Sequence, residues 1–128
     1  QMPRQYGAPS HRFLRDIAAE MFPDRFDLSR WEPPVRAPIE YHRLLSGLGE
    51  VSVWETDYIH RLAPLAQGHP VRAFTEATAM RPFVEKITPA EARDFTARYE
   101  AALASAYSVE PDRSVLFPFR RVFITLTV

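Results

Sequence analysis

The chain has 128 residues, a length that suits one domain and is too short for two full ones. Sixteen basic residues, fifteen of them Arg, balance sixteen acidic ones, which argues against a nucleic-acid-binding module because such modules carry a clustered basic excess. There is no cysteine, which excludes disulfides and thiolate chemistry, and no apolar run approaches the ~20 residues of a membrane span.

Several site classes are excluded by what the chain lacks. The four glycines stand isolated at positions 7, 47, 49 and 68, so no G-x-G-x-x-G turn and no phosphate loop can form. The four histidines, at 11, 42, 60 and 69, show no metal-binding spacing, and no serine stands in a G-x-S-x-G context. Because the N-terminus has no signal-peptide character, a cytoplasmic protein is expected.

The first predicted helix covers roughly residues 10–21, after a strand end and loop over residues 1–9. Ser10 is a favourable N-cap. Apolar residues then recur at helical spacing: Phe13, Leu14, Ile17, Ala18 and Met21. Arg12 and Arg15 on this helix, like Arg93 and Arg98 further along the chain, are predicted to lie on solvated helix faces.

A proline-rich segment and a short helix follow. Residues 22–38 contain four prolines around Phe26 and Trp31, which indicates an ordered loop because linkers rarely contain aromatic residues. Pro38 suits the first turn of a second helix that runs toward Leu48 and is stopped by Gly47 and Gly49.

The clearest strand is predicted over residues 50–61, and a third helix is predicted over residues 70–80. The strand is rich in β-branched and aromatic residues, and Glu55 and Asp57 on one face indicate an edge strand. The helix begins at Pro70 and should end at Met80, because Arg81 precedes a proline and is biased out of the helical region.

The last two elements are a long helix and a strand with two apolar faces. Thr88 and Glu91 form a capping box, with Pro89 at the first helical position. The helix then buries one stripe: Ala92, Phe95, Tyr99, Ala102, Leu103 and Ala106. In the strand over residues 115–128, apolar side chains stand on both faces: Phe117, Phe119 and Phe123, and Leu116, Val122, Ile124 and Leu126. Such a strand needs neighbours on both sides and cover on both faces, so the chain is predicted to be part of a larger sheet.

Four motifs in this order resemble the C-terminal half of class I S-adenosylmethionine-dependent methyltransferases, and within them the trans-aconitate methyltransferases. Residues 1–11 resemble Q-M-P-x-N-x-x-E-P-T-H at the fifth strand, and residues 51–60 resemble V-D-x-W-x-T-x-Y-x-H of the sixth. Residues 77–83 resemble T-G-L-R-P-[WY], and residues 116–124 resemble L-x-F-P-R-L-F-[VI] of the seventh strand. The resemblance covers the whole chain; Gln5, Ala8, Ala79 and the shifted Pro118 depart from the pattern.

The resemblance implies a fold of the α/β class, the C-terminal portion of a Rossmann-like methyltransferase. In isolation it should look α+β, with about four helices, an antiparallel strand pair and a strand stub. The last strand would lie antiparallel between the stub and the strand over residues 50–61. Residues 1–128 would form a single incomplete domain, a fragment without the cofactor-binding half and inactive alone.

The resemblance also implies a reaction and a set of site residues. The parent protein would use S-adenosylmethionine to methylate a small polycarboxylate, trans-aconitate, and no cofactor is expected to bind the fragment. A carboxylate is already ionised near pH 7, so catalysis would rest on orientation and desolvation. Six residues in the motifs are predicted to bind substrate: Arg81, Tyr6, His11, Arg121, Tyr58 and His60.

Each of these predictions has an alternative. Arg81 could satisfy the last carbonyls of its helix, Arg121 could pair with Glu55 or Asp57, and Tyr58 and His60 could simply be packing residues. The acid methylated could be another small organic acid. The whole chain could instead be a free-standing, non-enzymatic α+β interaction or dimerisation module. We expect it to form a homodimer, or to pair with the missing half, through the edge of the last strand, because an exposed two-sided apolar strand invites aggregation.

Overall fold

The computed structural model, which describes residues 1–128, contains five helices and three strands. Their order is β1 (Met2–Pro3), α1 (Pro9–Met21), α2 (Pro38–Leu45), β2 (Glu50–Leu62), α3 (Pro70–Glu76), α4 (Arg81–Val84), α5 (Pro89–Ala106) and β3 (Val115–Thr127). The predicted α+β arrangement is confirmed, with one helix more because the third predicted helix is broken in two. None of the helices is long and apolar enough to cross a membrane.

The last strand, β3, lies between the other two. The strand order is β1-β3-β2, and both neighbours run antiparallel to β3. All 13 residues of β2 pair with β3, whereas β1 contributes only Met2 and Pro3. The predicted position of the last strand between the stub and the edge strand is therefore confirmed.

Gln5 continues the short pairing of β1 with its side chain. The amide nitrogen donates to the carbonyl of Pro118 at 2.8 Å, and the amide oxygen accepts from the backbone N–H of Arg120 at 2.9 Å. The side chain thus replaces the donor and acceptor that another strand residue would supply. Gln5 is only 4% exposed, so these two bonds fix the chain that leaves β1.

The two faces of β3 are covered differently. Phe117 and Phe119 are buried in the main core, on the face that meets the helices. On the other face Leu116 is 48% exposed, and only Val122 is fully buried. The helices of this chain thus cover only one face of the first half of β3, and cover of its other face stays a prediction.

The core forms where α1 and α5 pack on each other and on the inner face of β3. On α5 the buried residues follow one another at four-residue spacing: Phe95, Tyr99 and Leu103. They meet Leu14 and Ala18 of α1. This is the central part of the stripe that the spacing predicts.

One predicted helix start is confirmed and one is wrong. At α5 the hydroxyl of Thr88 accepts from the N–H of Glu91 at 3.2 Å, and the Glu91 carboxylate accepts from the N–H of Thr88 at 2.8 Å. The N-cap of α1 is Ala8 rather than Ser10, and Pro9 takes the first helical position, where its missing N–H costs nothing. Ser10 is fully buried, and its backbone bonds to the interior instead.

Two buried tyrosines hold the first turn of α1. The hydroxyl of Tyr107 accepts from the N–H of Ser10 at 3.1 Å, and the hydroxyl of Tyr99 donates to the Ser10 carbonyl at 2.7 Å. The Tyr99 hydroxyl also lies 3.0 Å from the hydroxyl of Thr75. Burial raises the pKa of Tyr99 to about 12. Helices α1, α3 and α5 are therefore joined at one buried point.

The third predicted helix ends at Glu76 rather than Met80. The carbonyl of Thr75 accepts from the N–H of Met80 at 3.0 Å, which turns the chain, and Arg81 then begins the short α4. The prediction that Arg81 ends a helix is wrong. Pro82 occupies the second position of α4, where a helix does not need a backbone N–H.

Replacing Tyr99 by Phe tests the buried connection. We expect Tyr99→Phe to lower the free energy of unfolding by about 0.5–1.5 kcal/mol, because the buried hydrogen bond from the Tyr99 hydroxyl to the Ser10 carbonyl is lost. Urea unfolding followed by circular dichroism measures this loss. Tyr6→Phe is the matched control, with an expected change within about 0.5 kcal/mol, because the Tyr6 hydroxyl makes no hydrogen bond within the chain. Equal losses in the two variants would contradict the interpretation.

Candidate functional site

A cavity of about 810 Å³ opens beside the first turns of α1. Its walls come from the end of β1, from α1, from the proline-rich segment 22–38 and from residues 74–86. We call it the α1 cavity. It lies just past the carboxyl end of β1, and open α/β sheets bind their ligands at the carboxyl ends of their strands.

Most of the α1 cavity is lined by apolar side chains. The larger ones are Leu14, Phe26, Leu28, Trp31, Phe74, Phe83 and Phe119. An enclosure of apolar and aromatic side chains with a few polar groups is typical of a small-molecule site. The residue types therefore favour a compact ligand with a carbon skeleton that the aromatic rings can contact.

The polar groups of the α1 cavity are basic or neutral. They belong to five residues: Tyr6, His11, Arg15, Thr78 and Lys86. No Asp or Glu lines the cavity, and neither Arg15 nor Lys86 forms an ion pair within the chain. The cavity therefore carries positive charge that no ion pair within the chain neutralises, which suits an anionic ligand.

The two cations of the cavity lie over aromatic rings. The guanidinium carbon of Arg15 is 3.9 Å from the centre of the Trp31 ring, and the amine of Lys86 is 5.7 Å from that of Phe26. Partial burial lowers the pKa of Arg15, although the neighbouring Asp16 carboxylate opposes this. An arginine nevertheless stays charged at neutral pH.

Tyr6 and His11, two of the predicted substrate-binding residues, meet in the α1 cavity. Their rings stand edge to face with centres 5.7 Å apart, and His11 Nδ1 lies 3.0 Å from the hydroxyl of Ser10. Burial, helped by the positive charge of Arg15, lowers the pKa of His11 to about 4. Near pH 7 the imidazole is therefore neutral and offers hydrogen bonding without charge.

The structure also brings together Tyr58, His60 and Arg121, but on the sheet. Nε of Arg121 donates to the Tyr58 hydroxyl at 3.3 Å, and its guanidinium lies 5.4 Å from the centre of Phe119. The rings of Tyr58 and His60 are 6.3 Å apart, and buried Nδ1 of His60 has no hydrogen-bond partner. Phe119 also lines the α1 cavity, so the two groups adjoin at this ring.

The predicted ion pair of Arg121 with Glu55 or Asp57 is wrong. Side chains alternate along a strand, so both carboxylates stand on the opposite face, where Asp57 is directly opposite Arg120. Arg120 pairs with Asp57 through two bonds of 2.7 and 3.0 Å. Glu55 forms an ion pair with Arg4. Arg120, the residue before Arg121, therefore forms the ion pair that the sequence predicts for Arg121.

Arg81 lies apart from both groups. Its side chain is 69% exposed, and Nε donates to the Glu85 carboxylate at 2.8 Å, one helical turn away. The neighbouring motif residues Thr78, Ala79 and Pro82 line the α1 cavity, whereas Arg81 does not. A substrate-binding role for Arg81 stays a prediction.

Arg15 and Lys86 are absent from the predicted set of site residues. The expectation of a solvated face holds for Arg12, which is exposed, and is wrong for Arg15, which is half-buried in the cavity. Spacing provides a signal for Arg15, because it lies four residues after His11 on the same face of α1. Lys86 has no such signal, since it reaches the cavity only through the packing of the loop after α4.

A second cavity, of about 610 Å³, adjoins residues 4–9. Its charged residues, Arg4, Asp57 and Arg120, already pair within the chain. No group of three His, Asp or Glu side chains is placed to hold a metal ion. Of these two cavities, the α1 cavity is therefore the candidate site.

Comparison with known proteins gives one consistent similarity. No protein-family model matches the chain. The chain is 39% identical over 127 residues to a trans-aconitate 2-methyltransferase of Streptomyces avermitilis. This match covers 96% of the chain and 45% of that protein. Two proteins of the same name are also similar. The one from Rhodococcus jostii is 35% identical, and the match covers 100% of this chain and 51% of that protein. The one from Methylobacterium nodulans is 38% identical, and the match covers 97% of this chain and 48% of that protein. The chain spans about half the length of the curated relatives it matches.

Replacing each of the two adjacent arginines in turn tests the strand register. The hydrogen bond from Arg120 holds the pKa of Asp57 below its usual value, so Arg120→Ala should raise it. Arg121→Ala should leave the pKa of Asp57 unchanged, because its side chain stands on the other face. Carbon-detected NMR titration of the carboxylate measures both, and an increase in only the Arg121→Ala variant would contradict the register.

The low pKa of His11 predicts a pH-dependent stability. The folded value of about 4 lies below the unfolded value of about 6.5, so protonation favours the unfolded chain. We expect stability to fall as pH drops through this window, and a shallower fall in His11→Gln. Urea unfolding at several pH values checks it. Identical pH profiles for the two proteins would be inconsistent with a buried neutral His11.

Proposed function

The chain is related in sequence to the trans-aconitate 2-methyltransferases over 96–100% of its length, and from this premise we propose that it is the C-terminal, substrate-binding half of an S-adenosylmethionine-dependent carboxyl O-methyltransferase. Its proposed substrate is a small polycarboxylate, trans-aconitate, which would leave as a monomethyl ester. The strand order β1-β3-β2 supports this proposal, since it fits the last three strands of a Rossmann-like methyltransferase.

The observation that carries the proposal is the charge of the α1 cavity. Arg15 and Lys86 face the cavity without a protein carboxylate, and no acidic residue lines it. Trans-aconitate combines an unsaturated carbon skeleton with three carboxylates. The aromatic walls can contact the skeleton, the two cations can bind carboxylates, and the hydroxyls of Tyr6 and Thr78 can donate hydrogen bonds.

The residues of the chain are proposed to bind and orient the acid rather than to move protons. A carboxylate is ionised near pH 7, so its oxygen can accept a methyl group without a general base. The neutral His11 fits this role, because it can position a carboxylate by hydrogen bonding. The apolar walls would exclude water from the reacting groups.

S-adenosylmethionine itself does not fit the residues of this chain. The four glycines are isolated, at 7, 47, 49 and 68, and build no glycine-rich turn that could approach a nucleotide. We assign cofactor binding to the other half of the whole protein and expect the 128-residue chain to be inactive alone. We also propose a cytoplasmic location, in keeping with the absence of cysteine.

Pairing through β3 is a second proposal, with its own observation. β1 pairs with β3 only as far as Val122, so residues 123–127 keep one unpaired edge. An unpaired strand edge is a template for another strand. The added strand would come from the other half of the protein or from a second copy in a homodimer. The same unpaired edge is also the observation that favours the alternative, a non-enzymatic dimerisation module.

A chimeric protein tests the methyltransferase proposal. Joining the chain to the remaining part of the Streptomyces avermitilis relative should give a protein that forms trans-aconitate monomethyl ester from S-adenosylmethionine, as detected by mass spectrometry. The chain alone, assayed beside it, should form none. A folded chimera that binds the cofactor but methylates no small carboxylic acid would contradict the proposal, and turnover by the chain alone would contradict its assignment as a half.

A further inference from the structure

The segment 22–38 provides the platform for both cations of the α1 cavity. Its Trp31 lies under Arg15, and its Phe26 lies near Lys86. The two cations come from different elements, α1 and the loop after α4, yet both rest on rings of this one segment. Before Pro38, where α2 begins, the segment has no helix or strand, and buried Phe22, Phe26 and Val35 anchor it.

Arg15 lies closer to its ring than Lys86 does, with its guanidinium carbon 3.9 Å from the ring centre against 5.7 Å for the Lys86 amine. Its guanidinium makes no hydrogen bond or ion pair within the chain, although it is half-buried in the cavity wall. A partly desolvated guanidinium without acceptors is unfavourable, and contact with Trp31 compensates only in part. The donors of the Arg15 fork are therefore available to a ligand, and the ring restricts their orientation.

We propose that Arg15, held over Trp31, is the specificity-determining residue that makes the α1 cavity select polycarboxylates over monocarboxylates. This inference rests on the proposed function, in which the cavity holds the acid to be methylated. The carboxylate that accepts the methyl group must stay free to react, so Arg15 must bind a different carboxylate of the same molecule. An acid with only one carboxylate cannot satisfy both requirements.

The guanidinium suits this task better than an amine would. Its planar fork can donate to both oxygens of one carboxylate, which fixes the orientation of the acid as well as its position. A purely structural role for Arg15 makes a different prediction. If Arg15 only packed over Trp31, its replacement would change stability and leave the selectivity among acids unchanged.

Calorimetric titration of the 128-residue chain with two acids tests the inference. The probes are trans-aconitate and crotonate, an unsaturated acid with a single carboxylate. Arg15→Ala should weaken trans-aconitate binding by about 10- to 100-fold and crotonate binding by less than about threefold, because trans-aconitate loses one of two simultaneous charge-assisted contacts, whereas the single carboxylate of crotonate can bind Lys86 instead. Arg15→Lys should recover part of the loss, since it restores the charge but not the fork.

Arg12→Ala is the matched control. Arg12 lies on the same helix but is exposed and does not line the cavity, so both affinities should stay unchanged. Trp31→Phe should retain more of the selectivity than Trp31→Ala, because it keeps an aromatic platform.

Three results would overturn the inference: equal losses for the two acids in Arg15→Ala, no loss for either, or no binding of trans-aconitate to the wild-type chain at millimolar concentration. The chimeric protein separates this failure from failure of the proposed function. A chimera that methylates trans-aconitate and keeps its preference after Arg15→Ala would overturn only the role of Arg15. A chimera that methylates no acid, with Arg15-dependent binding intact, would overturn only the methyltransferase assignment.

Discussion

The backbone of Ser10, bonded from both sides by buried tyrosines, is the constraint on which the α1 cavity depends. Tyr107 holds its N–H and Tyr99 its carbonyl, and together they fix the first turn of α1 and hence the directions of His11 and Arg15. Both tyrosines come from α5 and the residue that ends it. The packing of α5 on α1 thus sets the geometry of a cavity to which α5 contributes no side chain.

The balance of sixteen basic and sixteen acidic residues conceals a local imbalance. Outside the α1 cavity, several arginines form ion pairs with carboxylates: Arg25–Glu91, Arg61–Asp112, Arg72–Glu100 and Arg120–Asp57. The cations of the α1 cavity lie over aromatic rings instead. A protein carboxylate at that position would compete with an anionic ligand, so the absence of an acidic residue from the cavity lining is the feature that connects the fold to the proposed polycarboxylate substrate.

Local patterns predict much of the fold, and tertiary contacts explain the errors. The Thr88 capping box and the α5 stripe depend on neighbours within one helix, and both are confirmed. The position of β3 follows from its two apolar faces together with the family resemblance. Ser10 is assigned wrongly because its partners, Tyr99 and Tyr107, are about ninety residues away in the chain, where no local pattern reaches.

The candidate site is predicted in part for the same reason. Tyr6 and His11 follow the end of a strand, a position that topology alone marks as a ligand site. Arg15 and Lys86 become neighbours only when the segment 22–38 folds across α1, and that segment has no periodicity from which its path could be read. The partner of Arg121 is assigned wrongly because the register, rather than the composition, decides which arginine faces Asp57.

The most direct test of a polycarboxylate site in the α1 cavity is an NMR titration of the isotope-labelled chain with trans-aconitate. Shifts that concentrate at Tyr6, His11, Arg15 and Lys86 are the result that the cavity predicts. The largest shifts at the exposed Arg81, or at Arg121 on the sheet, would instead place the ligand elsewhere and contradict the account.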